Sequence, residues 1–81
     1  MPDATPAVTI YSTPSCHFCH MAKEFFKEKN VAYTEYDVAS NAEKRKEMID
    51  KSKQMGVPVI IIGNDLVVGF NKPVIAQLLG I

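Results

Sequence analysis

The sequence has only two cysteines among its 81 residues, and they lie three positions apart. A secreted mini-protein held by disulfides needs more cysteines, spread along the chain. An excess of one charge is also missing, because nine basic side chains balance nine acidic ones. A nucleic-acid binder would carry a basic patch, so that class is disfavoured. The longest charged stretch, from Glu43 to Glu47, mixes both signs and is typical of a solvated helix face.

Long hydrophobic runs are absent as well. The longest apolar stretch, from Val57 to Ile62, contains Pro58 and has the length of a strand, whereas a membrane helix needs roughly 20 apolar residues. Residues 1–7 show neither the basic nor the apolar region of a secretory signal. We therefore expect a cytoplasmic protein that does not associate with membranes.

The residues that are present fit an ordinary globular protein, with 47% hydrophobic and 22% charged side chains. A chain of 81 residues has room for one domain. We expect that domain to take in residues 1–81, with the proline-containing segment 1–6 as a loose lead-in. A monomer is the default expectation at this size.

Hydrophobic periodicity predicts seven elements in the order β-α-β-α-β-β-α. The predicted strands cover residues 7–11, 32–38, 57–62 and 66–68, and the predicted helices cover 16–29, a segment capped by Ser40 or Asn41 that ends near 53, and 72–79. The first two strands, joined through a helix, should be parallel with a right-handed connection. The last two should form an antiparallel hairpin that turns at 63–65. We therefore predict an α/β fold in which helices cover a four-stranded mixed sheet.

The two cysteines, Cys16 and Cys19, directly follow the first predicted strand and open the first predicted helix. A helix begins with unpaired amide hydrogens and a partial positive charge, which stabilise a thiolate. Cys16 should be exposed there, while Cys19 returns to the same helix face and should be more buried. The alternative is a pair of inert core cysteines.

This arrangement supports a two-step thiol–disulfide exchange. Cys16 would attack a substrate disulfide as a thiolate and form a mixed disulfide. Cys19 would then attack Cys16 and release the reduced substrate. The disulfide formed between Cys16 and Cys19 must be reopened by a reductant.

A second signal is the pair Val57-Pro58 at the start of a buried strand, where proline is unusual. One reason for it is a cis peptide bond that re-aims the backbone beside the cysteines. The Val57 backbone would then be free to pair with an extended substrate. The alternative is a trans proline that simply begins a strand.

Together these residues resemble the glutaredoxin-like redoxins, which have the thioredoxin fold. The resemblance extends over residues 8–79 and is carried by Tyr11-Ser12-Thr13-Pro14-Ser15-Cys16-His17-Phe18-Cys19, Asp37-Val38, Gly56-Val57-Pro58-Val59 and Gly69-Phe70. It implies a dithiol oxidoreductase and electron carrier, with Cys16 as nucleophile, Cys19 as resolving thiol and Pro58 as the cis-proline. The residues expected to bind substrate are Pro14, His17, Phe18, Val57, Pro58, Gly69 and Phe70.

The resemblance also implies partners. The expected substrates are disulfide-containing proteins such as ribonucleotide reductase or peroxidases, and the electron donor is a thioredoxin reductase-like flavoenzyme or glutathione. Glutathione-using members usually carry a lysine where this chain has Thr13. They also carry acidic residues before the last helix, where this chain has Asn71-Lys72. Both departures favour the flavoenzyme over glutathione as the electron donor. No bound cofactor is expected.

Between the cysteines, His17 and Phe18 replace the usual Pro-Tyr pair of the family. The amide of His17 is then free to donate to the Cys16 sulfur, and a protonated His17 would stabilise the thiolate. The alternative is an exposed imidazole without that effect. Phe18 is predicted to offer partners an apolar contact, or else to pack into the core.

Other functions remain open at this point. The segment 16–20 formally matches the haem-attachment pattern C-x-x-C-H. Two cysteines and two histidines within five residues could bind a metal, although His17 should project away from the other three side chains. An iron–sulfur cluster shared between two chains through Cys16 is the main alternative function. A further possibility is a non-enzymatic interaction module.

Overall fold

The computed structural model describes residues 7–80. Within them the element order is the predicted one: β1 (Val8–Ser12), α1 (His17–Glu28), β2 (Thr34–Asp37), α2 (Ala42–Ser52), β3 (Val59–Ile62), β4 (Asp65–Val68) and α3 (Lys72–Leu79). The lead-in predicted at residues 1–6 lies outside the described residues. None of the described helices is long and apolar enough to cross a membrane.

The four strands form one mixed sheet, as predicted, and their order in it is β2-β1-β3-β4. Strand β1 is parallel to β2 and antiparallel to β3, and β3 and β4 form the antiparallel hairpin. The hairpin turn is shorter than predicted, because Asp65 already pairs with Ile62. This leaves the two residues Gly63 and Asn64 in the turn, where Gly63 adopts a left-handed φ of 61°.

Side chains alternate across the sheet and build a core on each face. Ile10 on β1 faces the core under α1 and α3, where Phe26 and Ile75 are fully buried. Tyr11, one residue later, faces a smaller cluster under α2 that contains Met48. The helices therefore cover both faces of the sheet, as the pattern of apolar residues predicted.

The helix ends follow from their capping residues. Helix α1 begins one residue later than predicted because Cys16 is its N-cap, with φ −84° and ψ 113°. Helix α2 is capped by Asn41, whose side chain accepts a hydrogen bond from the amide of Lys44 at 3.0 Å. Of the two predicted caps, Asn41 rather than Ser40 is therefore correct. Helix α3 has the predicted bounds.

Two strands are shorter than predicted. Strand β2 begins at Thr34 rather than at residue 32, and Tyr33 instead packs its ring on Phe26, with 5.4 Å between the ring centroids. Strand β3 begins at Val59 rather than at Val57. Pro58 has no amide hydrogen to donate to a neighbouring strand, which explains why the pairing starts after it.

Candidate redox site

Three segments meet at one end of the sheet. Tyr11 near the end of β1 pairs with Val59, and Val59 pairs with Val68 at the end of β4. The loop that leads from β1 to Cys16 therefore leaves the sheet beside Pro58, which precedes β3. The carbonyl oxygen of Pro58 accepts a hydrogen bond from the amide of Gly69 at 2.8 Å. The cysteine loop, Pro58 and Gly69 are brought together by strand register.

Cys16 is placed by a turn and by the start of α1. Its amide donates to the carbonyl oxygen of Thr13 at 3.2 Å, which closes the turn. Its Sγ accepts a hydrogen bond from the amide of Cys19 at 3.2 Å. The predicted donor, the amide of His17, was wrong, because a capping side chain accepts from an amide two or three positions into the helix. The Cys16 side chain is partly exposed, as the sequence predicted.

Cys19 has the opposite environment. It is fully buried, in agreement with the sequence-based expectation. Burial, the larger cause, and a side-chain hydrogen bond with Cys16 together raise the pKa of the Cys19 thiol to about 12. Cys19 is therefore protonated at neutral pH. Both cysteines are present as free thiols.

A polar network that the sequence did not reveal lies near Cys19. Lys23 Nζ is 2.7 Å from Glu35 Oε2, and the same oxygen accepts a hydrogen bond from the buried Ser12 hydroxyl at 2.9 Å. Lys23 lies one helical turn after Cys19, and its positive charge lowers the pKa of that thiol, partly opposing the effect of burial. The available signal was the spacing of Cys19 and Lys23, four residues apart on α1.

The peptide bond between Val57 and Pro58 is cis, as predicted. Pro58 is fully buried, whereas Val57 is half-buried. The amide and carbonyl of Val57 make no backbone hydrogen bond to any residue between 7 and 80. The backbone of Val57 is thus available to an outside segment at the same end of the sheet as Cys16.

The residues around Cys16 are mostly exposed. Phe18 is 55% exposed and does not pack into the core, and His17 is exposed with its ring edge-on to that of Phe18. Pro14 is exposed, and its carbonyl oxygen accepts a hydrogen bond from His20 Nε2 at 2.8 Å. His20 thus ties the cysteine turn to the start of α1, a contact that the sequence did not predict.

The segment before α3 lies beside α1. Gly69 adopts a left-handed φ of 83°, which favours glycine at that position. Phe70 is half-buried and meets the ring of Phe25 edge-on, with 6.0 Å between centroids. Lys72 Nζ lies 5.4 Å from the centroid of the Phe25 ring. Gly69 therefore lies beside Pro58 at the site, whereas Phe70 packs against α1 farther from Cys16, next to the cation of Lys72.

A metal site would require several ligands close together. Between residues 7 and 80 no group of three or more His, Cys, Asp or Glu side chains is arranged to hold a metal ion. His20 is turned toward the carbonyl of Pro14, as described above.

Comparisons with known proteins agree with this geometry. The glutaredoxin family model matches residues 8–67. A glutaredoxin-like 8.6 kDa protein from the rubredoxin operon of Clostridium pasteurianum is 46% identical over 72 residues, covering 89% of this chain and 96% of that protein.

Solved structures show the same fold. The crystal structure of the thioredoxin-like protein BC3987 superposes with a TM-score of 0.84 at 35% identity, covering 89% of this chain and 99% of the other. The glutaredoxin-like NrdH-redoxin of Escherichia coli superposes with a TM-score of 0.78 at 25% identity, covering 89% and 93%. A thioredoxin fold with a close pair of free cysteines at the start of its first helix, matched by the family model over most of its length, places this chain in the glutaredoxin family of thiol–disulfide oxidoreductases.

Proposed function

We propose that this protein is a dithiol electron carrier that reduces protein disulfides, with Cys16 as the nucleophile and Cys19 as the resolving thiol. The observation that carries the proposal is the contrast between the two cysteines. Cys16 is partly exposed and its sulfur accepts an amide hydrogen bond at the start of α1, whereas Cys19 is buried as a neutral thiol.

In the first step the Cys16 thiolate attacks one sulfur of the substrate disulfide. The substrate S–S bond breaks, a mixed disulfide forms with Cys16, and the second substrate sulfur leaves as a thiolate that takes a proton from water. The amide of Cys19 and the positive end of α1 stabilise the Cys16 thiolate before this attack. Burial keeps Cys19 from reacting with the substrate directly.

In the second step Cys19 loses its proton and attacks the Sγ of Cys16. The mixed disulfide breaks, and the substrate sulfur leaves and takes up a proton. The substrate is now fully reduced, and the protein carries the Cys16–Cys19 disulfide. Two electrons have moved from the protein to the substrate, so a donor must return two electrons before the next cycle.

The substrate would be held by the surface around Cys16. The free backbone of Val57 can pair with an extended segment of the substrate. The exposed ring of Phe18 offers an apolar contact. The remaining residues that we assign to substrate binding are Pro14, His17, Pro58, Gly69 and Phe70.

We assign the electron donor to a thioredoxin reductase-like flavoenzyme rather than to glutathione. Thr13 stands where a lysine would meet a glutathione carboxylate, and Lys72 near Phe70 would repel the glutathione ammonium group. The E. coli NrdH-redoxin, whose structure is reported to explain a thioredoxin-like activity profile, has the same fold. Suitable substrates are enzymes that form disulfides in their cycle, such as ribonucleotide reductase or peroxidases. We also propose that this protein acts as a monomer in the cytoplasm.

The test is an NADPH-coupled disulfide-reduction assay with two arms, one containing thioredoxin reductase and the other glutathione with glutathione reductase. We expect turnover with thioredoxin reductase and much slower turnover with glutathione. Faster turnover with glutathione would contradict the assignment of the donor. The Cys19→Ser variant should accumulate mixed disulfides that mass spectrometry can detect, and their absence would contradict the role of Cys19.

A further inference from the structure

A groove of about 440 Å³ lies between α1 and the start of α3. It is lined by Met21, Glu24, Phe25, Glu28, Phe70 and Lys72. The four lining residues from α1 recur at intervals of three and four, so they form one stripe along the helix. Phe18 extends this stripe toward Cys16, because it lies three residues before Met21. The groove thus lies on a stripe of α1 that leads toward the redox site.

The floor of the groove is apolar and partly uncovered. Phe25 and Phe70 meet edge-on there. Met21 is 39% exposed beside them, and Phe18 is exposed at the end nearest Cys16. Large apolar side chains that stay exposed in one continuous surface commonly mark a protein-binding site.

The rim of the groove carries unbalanced negative charge. Glu24 and Glu28 lie one helical turn apart, a spacing at which like charges destabilise a helix. In the described part of the chain, no salt bridge joins either carboxylate to a cationic side chain. The ammonium of Lys72 lies over the ring of Phe25 instead. A cation supplied by a partner would relieve this repulsion.

We propose that this groove binds an extended segment of the substrate protein and places an arginine of that segment between Glu24 and Glu28. The inference rests on the proposed function, because the reactive cysteine of the substrate must lie at Cys16. Arginine fits the chemistry of the groove, since its guanidinium pairs with carboxylates and stacks on aromatic rings.

The length of α1 sets the spacing of the recognised sequence. A helix rises about 1.5 Å per residue, which places Glu24 about 12 Å and Glu28 about 18 Å from Cys16 along the axis. An extended segment advances about 3.3 Å per residue. The arginine should therefore lie about four to six residues from the substrate cysteine.

The test uses three disulfide-linked peptides that are identical except at the fifth residue from the cysteine, which is arginine, alanine or glutamate. Their kcat/KM values are compared in the thioredoxin reductase-coupled assay. At low salt we expect the arginine peptide to exceed the glutamate peptide by about tenfold, with alanine between them. In 1 M salt, where the Debye length is about 3 Å, the difference should largely disappear.

Variants then assign the preference to the two carboxylates. Glu24→Gln combined with Glu28→Gln should bring the three kcat/KM values together, and Glu24→Lys combined with Glu28→Lys should invert their order. The matched control is Glu43→Gln with Asp50→Asn on α2, which changes the net charge by the same amount as the first pair and should leave the preference intact.

The outcomes separate this inference from the proposed function. Equal kcat/KM values for all three peptides, or a preference for arginine that survives the Glu24 and Glu28 substitutions, would overturn the docking groove and leave the redox role standing. Failure of the wild-type protein, reduced chemically beforehand, to reduce any of the three peptides would overturn the redox role itself.

Discussion

Helices α1 and α2 begin with the same hydrogen bond made by different atoms. The Asn41 side chain accepts from the amide of Lys44 at 3.0 Å, and Cys16 Sγ accepts from the amide of Cys19 at 3.2 Å. The first turn of α2 carries the acidic residue Glu43, as helix starts often do, whereas the first turn of α1 has no acidic residue. Helix α2 thus has a structural cap, while α1 leaves its positive end to a reactive sulfur.

The largest expected effect follows from exchanging the reactive cap for an inert one. Cys16→Ser should abolish disulfide reduction, because no nucleophile remains at the start of α1. The serine hydroxyl is a favoured N-cap, so the free energy of unfolding of the Cys16→Ser variant should exceed that of the Cys16→Ala variant by about 1 kcal/mol. Activity assays and urea denaturation measure the two effects separately. Residual turnover by the Cys16→Ser variant would contradict the assigned nucleophile.

The complementary substitution is Asn41→Ala at the cap of α2. Loss of the side-chain hydrogen bond to the amide of Lys44 should lower the free energy of unfolding by about 1 kcal/mol. The rate of disulfide reduction should stay at the wild-type value, because Asn41 makes its hydrogen bonds to Asp37, Lys44 and Arg45 and to none of the residues around Cys16. Urea denaturation and the coupled assay together check this prediction. A large loss of activity at unchanged stability would show that the two caps do not have separate roles.

A third substitution makes the first turn of α1 resemble that of α2. Phe18 occupies the second position of α1, which corresponds to Glu43 in α2. Phe18→Glu should slow alkylation of Cys16 at pH 7 by about threefold, because the carboxylate cancels part of the positive potential that favours the thiolate. Phe18→Gln is the matched control, since it removes the ring without adding charge. Equal alkylation rates for the two variants would argue against electrostatic stabilisation.

The smallest expected effect concerns Lys23. Without the positive charge of Lys23 the pKa of Cys19 should rise further, so the Lys23→Met variant should resolve mixed disulfides more slowly. A higher pKa lowers the thiolate fraction of Cys19, while the greater nucleophilicity of the more basic thiolate offsets part of that loss, so we expect a slowing of about twofold.

The measurement for Lys23 is the rate at which a preformed mixed disulfide on Cys16 breaks down. This rate should increase with pH throughout the range 6–9, because Cys19 remains mostly protonated there. Lys23→Arg should restore the rate, and Lys27→Met, which removes an exposed charge from the same helix, should leave it unchanged. Equal slowing by Lys23→Met and Lys27→Met would point to a general change in helix charge.

Much of the fold and the centre of the site could be predicted from local sequence. The spacing of Phe18, Met21 and Phe25 predicted α1, and the position of Cys16 after a strand predicted its place at a helix start. The cis bond before Pro58 was also predicted. These features depend on residues close together in the chain or on a pattern shared with a known family.

The features that were missed depend on contacts between distant residues or on backbone angles. Glu35 bonds to Ser12 and Lys23 only because β2 lies beside β1 in one register. The choice of the Cys19 amide as donor to Cys16 depends on the extended ψ of 113° at the cap. No local pattern in the sequence specifies the register of β1 and β2 or the ψ angle of Cys16.

The proposed mechanism divides the chemistry between two cysteines on one helical turn. Its most direct test is to treat the reduced, folded protein with iodoacetamide at pH 7 and to locate the label by peptide mass spectrometry. We expect rapid labelling of Cys16, with Cys19 labelled only after unfolding in urea. Equal labelling of both cysteines in the folded protein, or labelling of Cys19 first, would contradict it.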